Sequence, residues 1–159
     1  MGRLFRRVLV PFDGSPHSGD ALRVAADLAS ESDGRLIVVR AIAPFLPFED
    51  LGSAEGSAWI PPEDIVETSL EQLEATVKKL LGRGAAPQVE CRVIVGDAYT
   101  AIMEAAADAD SIVMATHGRT GVEHLVIGSV TEKVVRHAEI PVLTIRAGSA
   151  KGPVRGRRN

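Results

Sequence analysis

Five short apolar runs rich in β-branched residues alternate with helical stretches, and this alternation constrains the fold more than any other feature. The runs are Arg7–Phe12, Leu36–Ile42, Val89–Val95, Ser111–Thr116 and Val142–Ile145. They are nearly continuous rather than alternating. Continuous runs mark strands buried on both faces, as in a parallel sheet with helices on each side.

The segments between them carry helix signals. The first opens at Ser15-Pro16, an N-cap with proline at the first helical position. It sets Leu22, Ala25, Ala26 and Ala29 on one face and ends near Asp33-Gly34. The second carries the stripe Val66, Leu70, Leu73, Val77, Leu80 and Leu81, closed by Gly82 and Gly84. The third follows Gly96 with Asp97 as its cap and runs through Ile102 and alanines 105–107. The fourth begins at Gly128-Ser129, carries Val130, Val134 and Val135, and stops before Pro141. The order β-α-β-α-β-α-β-α-β predicts an α/β fold: a single-domain, doubly wound, five-stranded parallel sheet with helices on both faces. Ligands of such sheets bind beyond the carboxyl ends of the strands, where the strand order reverses. That directs attention to the ends of strands one and four.

Composition supports one soluble domain. The chain has 159 residues, 45% hydrophobic and 25% charged, enough for a single core without staples. Its single cysteine, Cys91, excludes an internal disulfide, fits a reducing compartment and reads as a core residue. No apolar stretch approaches a membrane span, and the run after Arg3, Arg6 and Arg7 is too short for a signal peptide. The expectation is a cytoplasmic protein. The net charge of −3 hides an asymmetry, because residues 146–159 hold five basic residues and no acid. The rest carries 13 basic and 21 acidic residues, a charge of −8, which argues against a nucleic-acid-binding domain. Residues 1–146 read as the domain and 147–159 as a basic, flexible tail.

The chemistry concentrates after strand four, in Met114-Ala115-Thr116-His117-Gly118-Arg119-Thr120-Gly121 and then Gly128-Ser129-Val130-Thr131. Glycines let backbone amides approach a ligand, and a helix N-terminus offers free N–H groups to an anion. Ser129 and Thr131 bring hydroxyl donors and Arg119 a charge. Phosphate binding suits this set. A turn needing left-handed backbone plus an ordinary serine cap explains it equally well. Asp13 at the end of strand one suits a ribose hydroxyl, a base edge or a metal–phosphate complex, or else local turn bonding. No Walker lysine loop and no GxGxxG follow strand one. His17, His117, His124 and His137 lack metalloprotease spacing, and no serine sits in a nucleophile elbow. His137, near a helix end, suits the dipole. The long segment 43–60 reads as a lid over the site or as a structural, oligomer-contacting loop.

These residues resemble the universal stress protein family: Pro11-Phe12-Asp13-Gly14-Ser15, the THGRTG turn, Gly128-Ser129-Val130-Thr131-Glu132 and the closing Ile140-Pro141-Val142-Leu143. The resemblance covers residues 6 to 146. The family's nucleotide signature is Gly-x2-Gly-x9-Gly-Ser/Thr. Gly118, nine residues and Gly128-Ser129 match it, while Ala115 stands at the first glycine. The resemblance implies the ATP-binding branch and a regulatory role in stress response. Pro11 and Asp13 would lie near ribose and base, Ala41 would line the adenine slot, and Met114 and Ala115 would flank the ribose. Gly118, Gly128, Ser129, Val130 and Thr131 would surround the phosphates, with Arg119 beside them. ATP would carry Mg or Mn through its phosphates, with no dedicated protein metal site. The alternatives are a slow ATPase on the same fold or a nucleotide-free interaction module. No base to orient water is identifiable, so hydrolysis is expected to be slow or absent. The resemblance also implies a homodimer through the last strand, Val142 to Ile145, whose uncharged sequence invites pairing at a sheet edge.

Overall fold

The computed structural model describes residues 4–44, 61–82, 87–116 and 127–146. Its elements follow the expected order: β1 (Arg7–Pro11), α1 (Pro16–Glu31), β2 (Arg35–Ile42), α2 (Glu63–Leu81), β3 (Gln88–Val95), α3 (Ala98–Ala106), β4 (Ser111–Ala115), α4 (Ser129–His137) and β5 (Val142–Ile145). The five strands form one sheet in the order β3-β2-β1-β4-β5, and every neighbouring pair is parallel. The order runs outward from β1 to β3 on one side and from β4 to β5 on the other. The switch point lies at the carboxyl ends of β1 and β4, as expected.

Strand alternation splits the core into two layers. Val8, Val10, Leu36, Val38 and Val113 pack under α1 and α2, against Leu22, Ala25, Leu73 and Val77. Leu9, Ile37, Val39, Ile112 and Met114 pack under α3 and α4, against Ile102, Ala105 and Val134. The doubly wound reading therefore holds. The α1–β2 turn is tight: Asp33 has φ of 50° and the Gly34 N–H donates to Ala29 O at 2.8 Å. A Cβ on Gly34 would meet Phe5 O at 2.2 Å, so only glycine fits there.

Three expectations change. β3 is not buried on both faces: it is an edge strand whose inner positions are all half-buried. On its α3 side Arg92 joins Glu90 and Asp108, each at 2.7 Å. Cys91 is accordingly half-buried rather than core. It packs against the core from the rim, and desolvation, helped by Glu74 and opposed by Arg40, pushes its thiol up to about 11. Phe12 and Thr116 lie just past their strands, although the Phe12 N–H still donates to Val39 O at 2.8 Å and the Thr116 N–H to Ile145 O at 3.0 Å. Residues 45–60 and the tail from 147 lie outside the described residues. Among the described residues, no helix is long and apolar enough to cross a membrane.

Candidate functional site

The site begins with how β1 hands over to α1. Asp13 Oδ1 accepts from the Ser15 N–H at 2.9 Å, and Gly14 takes the left-handed φ of 82° that the turn requires. Local turn bonding is thus part of what Asp13 does. Ser15 caps α1 by accepting from the Ser18 N–H at 3.1 Å, and the Ser18 hydroxyl donates to Ser15 O at 2.9 Å.

Across the switch point, β4 is stitched to α4. The Gly128 N–H donates to Thr116 O at 2.8 Å, and the Thr131 Oγ1 hydroxyl donates to Ala115 O at 3.0 Å. Thr131 is buried. Its one hydroxyl proton is committed to the strand, so the expected donation to phosphate is not what this geometry provides. Gly128 is the N-cap of α4 and, being glycine, gives that helix no side-chain cap. The first-turn N–H groups therefore point outward without an intrahelical acceptor. The other two helices beside the cleft are closed, α1 by Ser15 and α3 by Asp97, which accepts from the Thr100 N–H at 3.1 Å. The Thr100 hydroxyl and then its N–H hold the Asp97 carboxyl below its ordinary range.

Between these elements lies a cavity of about 350 Å³. Its apolar end is walled by Pro11, Val39, Ala41 and Met114 from the strands and by Ala98, Ala101 and Ile102 from α3. Its polar end is the start of α4, Gly128 to Thr131. Asp13 and Arg40 are the two charged residues among the described lining residues.

Of the positions singled out in the sequence, Pro11, Asp13, Ala41, Met114, Ala115, Gly128, Ser129, Val130 and Thr131 all line this one cavity. Gly118 and Arg119 lie outside the described residues, as do His117 and His124. His137 sits at the far end of α4, its Nδ1 2.8 Å from Lys133 O and its ring edge-on to Tyr99. The sequence reading missed the α3 wall and Arg40. The apolar residues Ala98, Ala101 and Ile102, at helical spacing after a strand end, were the available signal.

Two positions explain their residue types. Ala115 is half-buried, its methyl packs into the layer beneath α1, and its φ is not positive. The added methyl lies away from the α3–α4 layer. Gly128 has a φ of −55°, which any residue can adopt. A Cβ there would touch Thr116 O at 3.4 Å and Thr131 Oγ1 at 4.0 Å. The backbone does not demand glycine, and Gly128 lines the cavity at the start of α4.

A family model described as the universal stress protein family matches residues 4–146. Universal stress protein MJ0531 of Methanocaldococcus jannaschii is 33% identical over 90% of this chain and 83% of its own length. Among solved structures, UspA from Lactobacillus plantarum superposes with a TM-score of 0.70 at 21% identity, over 89% of this chain and 98% of that one. A universal stress protein in complex with cAMP has a TM-score of 0.60 at 24% identity, over 89% and 96%. An Arabidopsis thaliana member with AMP bound has a TM-score of 0.56 at 19% identity, over 94% and 97%. These structures share the parallel sheet and its helices. With the family model spanning all four described segments, and an archaeal relative aligned along nine-tenths of the sequence, the chain belongs to the universal stress protein family.

Proposed function

We propose that this protein is a cytoplasmic, ATP-binding regulatory protein of the stress response that holds its nucleotide in the cavity at the switch point. One observation carries the reading: the N-terminus of α4, which Gly128 leaves without a side-chain cap, borders a cavity that apolar residues of the strands and of α3 also line. A nucleotide has the same two ends. Its phosphates suit the first-turn N–H groups of Ser129 and Val130, where the helix dipole favours negative charge. Its base suits the slot between Pro11, Val39, Ala41 and Ile102. The space at Gly128 is a cradle that a larger side chain would fill. Asp13, between the two ends, suits ribose hydroxyls or a cation riding on the phosphates. Such a cation, Mg or Mn, would neutralise phosphate charge. The signature residues Gly118 and Arg119 complete the phosphate end in this reading. Relatives of the same fold with cAMP and AMP bound support a nucleotide ligand.

Regulation rather than turnover is the reading that the described residues support. Thr131 spends its proton on Ala115 O, and the Asp13 carboxylate is partly occupied by the Ser15 N–H. Neither is poised to activate water at a γ-phosphate. The proposed protein acts as a homodimer through β5. That strand is a sheet edge without charge, whereas the opposite edge, β3, carries the Glu90–Arg92 ion pair. A charged edge resists strand pairing and an apolar one invites it.

The test is a mass spectrum of small molecules released from the purified, denatured protein. ATP or another adenine nucleotide near one per chain is expected. Purified protein that neither carries nor takes up any nucleotide would leave a ligand-free interaction module instead.

A further inference from the structure

A binding protein that signals must convert occupancy into a change elsewhere, through an element whose stability the ligand alters. α2 is the helix that no cavity-lining residue belongs to. Its attachment is uneven. The buried residues Leu73 and Val77, and the core-packed Leu80 and Leu81, all lie in its second half. In the first half Glu63, Asp64, Ile65, Glu67, Thr68 and Glu71 are exposed. Like charges at Glu63, Glu67 and Glu71, four residues apart, weaken that half further.

One described lining residue bonds this half. Arg40, near the carboxyl end of β2, lines the cavity. Its Nη1 donates to Ser69 O of α2 at 3.5 Å, a length at which such a bond is weak and easily exchanged. The guanidinium sits over the Phe12 ring, 5.9 Å from its centroid, and Phe12 itself lines the cavity beside Asp13. The same residue thus lines the cavity and bonds a helix whose first half, among the described residues, has no fully buried side chain. A guanidinium has several donors in a fixed fork. A nucleotide offers acceptors on base, ribose and phosphate, and those acceptors compete with Ser69 O.

We propose that Arg40 is a positioning residue that couples the cavity to the amino-terminal half of α2, so that ligand occupancy sets the local stability of residues 63–72. The coupling to a nucleotide rests on the functional reading above; the tether itself does not. Residues 73–81, anchored in the core, keep their stability in either state.

Hydrogen exchange followed by mass spectrometry tests this on the full chain and on Arg40→Met, each with and without AMP or ATP–magnesium at concentrations shown by calorimetry to saturate. Without nucleotide, Arg40→Met is expected to speed exchange in 63–72 by about fivefold, the size of one ordinary hydrogen bond, and to leave 73–81 unchanged. Saturating nucleotide is expected to change exchange in 63–72 of the original chain and not of the variant. An unchanged rate in 63–72 of the variant, or a saturated original chain with unaltered α2, overturns the proposal. If calorimetry finds no nucleotide bound, the functional reading fails by itself. The tether is then decided by the ligand-free comparison alone.

Discussion

Ala115 stands where the family's nucleotide signature has its first glycine, and its surroundings decide what that exchange means. A methyl at a position requiring positive φ costs about 1 kcal/mol, close to a fivefold loss of affinity. Ala115 is at no such position, and its methyl packs under α1. The sequence left both outcomes open, because spacing does not report φ. Ala115→Gly is expected to leave ATP affinity within about twofold while slightly lowering stability, since glycine in a strand loses more entropy on folding. Titration calorimetry alongside a melting curve checks both; a large loss of affinity would show that the methyl itself contributes to the site. Thr131 teaches the opposite lesson. Its hydroxyl suits a phosphate on paper, but a partner sixteen residues back in sequence, Ala115 O, takes the proton. Such a claim becomes visible only when β4 and α4 are placed side by side.

At the level of elements, local chemistry was the most legible. Ser15-Pro16 and Asp97 marked the starts of α1 and α3, and both act as the expected caps. Ser15 is buried, and its oxygen accepts from the Ser18 N–H. Ser15→Ala is expected to lower stability by about 1 kcal/mol, read as a shifted midpoint in urea with an unchanged slope; an unshifted midpoint would mean that proline at N1 suffices to start α1. Strand burial was less legible. The run from Val89 to Val95 is not continuously apolar, since Glu90 and Arg92 occupy one face of it. Whether such a strand is central or at an edge depends on strand order, which a single run does not encode. The α3 wall of the cavity was hidden for the same reason, since apolar residues on a helix have meaning only once their neighbour is known.

For the whole molecule, the alternation of runs and helices was enough to give the doubly wound sheet and to direct attention to the ends of β1 and β4. Nine of the eleven singled-out positions meet in one cavity there. They meet because the switch point is a property of topology, which the runs conveyed, while positions such as Ala41 and Met114 came from the family resemblance. The edge position of β5 leads to an assembly prediction. Leu143 on β5 is 39% exposed, an apolar side chain on the strand that ends the sheet among the described residues. Leu143→Lys is expected to convert a dimer to a monomer in sedimentation at tens of micromolar; an original chain that already sediments as a monomer contradicts the dimer. The central claim concerns the phosphate end of the cavity, and calorimetry with ATP and magnesium on the original chain and on Gly128→Val tests it most directly. Gly128 has an ordinary φ and tolerable space for a Cβ, so the variant should fold while its branched side chain fills the cradle. Saturable binding near one ATP per chain, weakened at least tenfold (about 1.4 kcal/mol) by the valine, is the predicted result, whereas equal binding by both proteins, or binding by neither, would contradict the account.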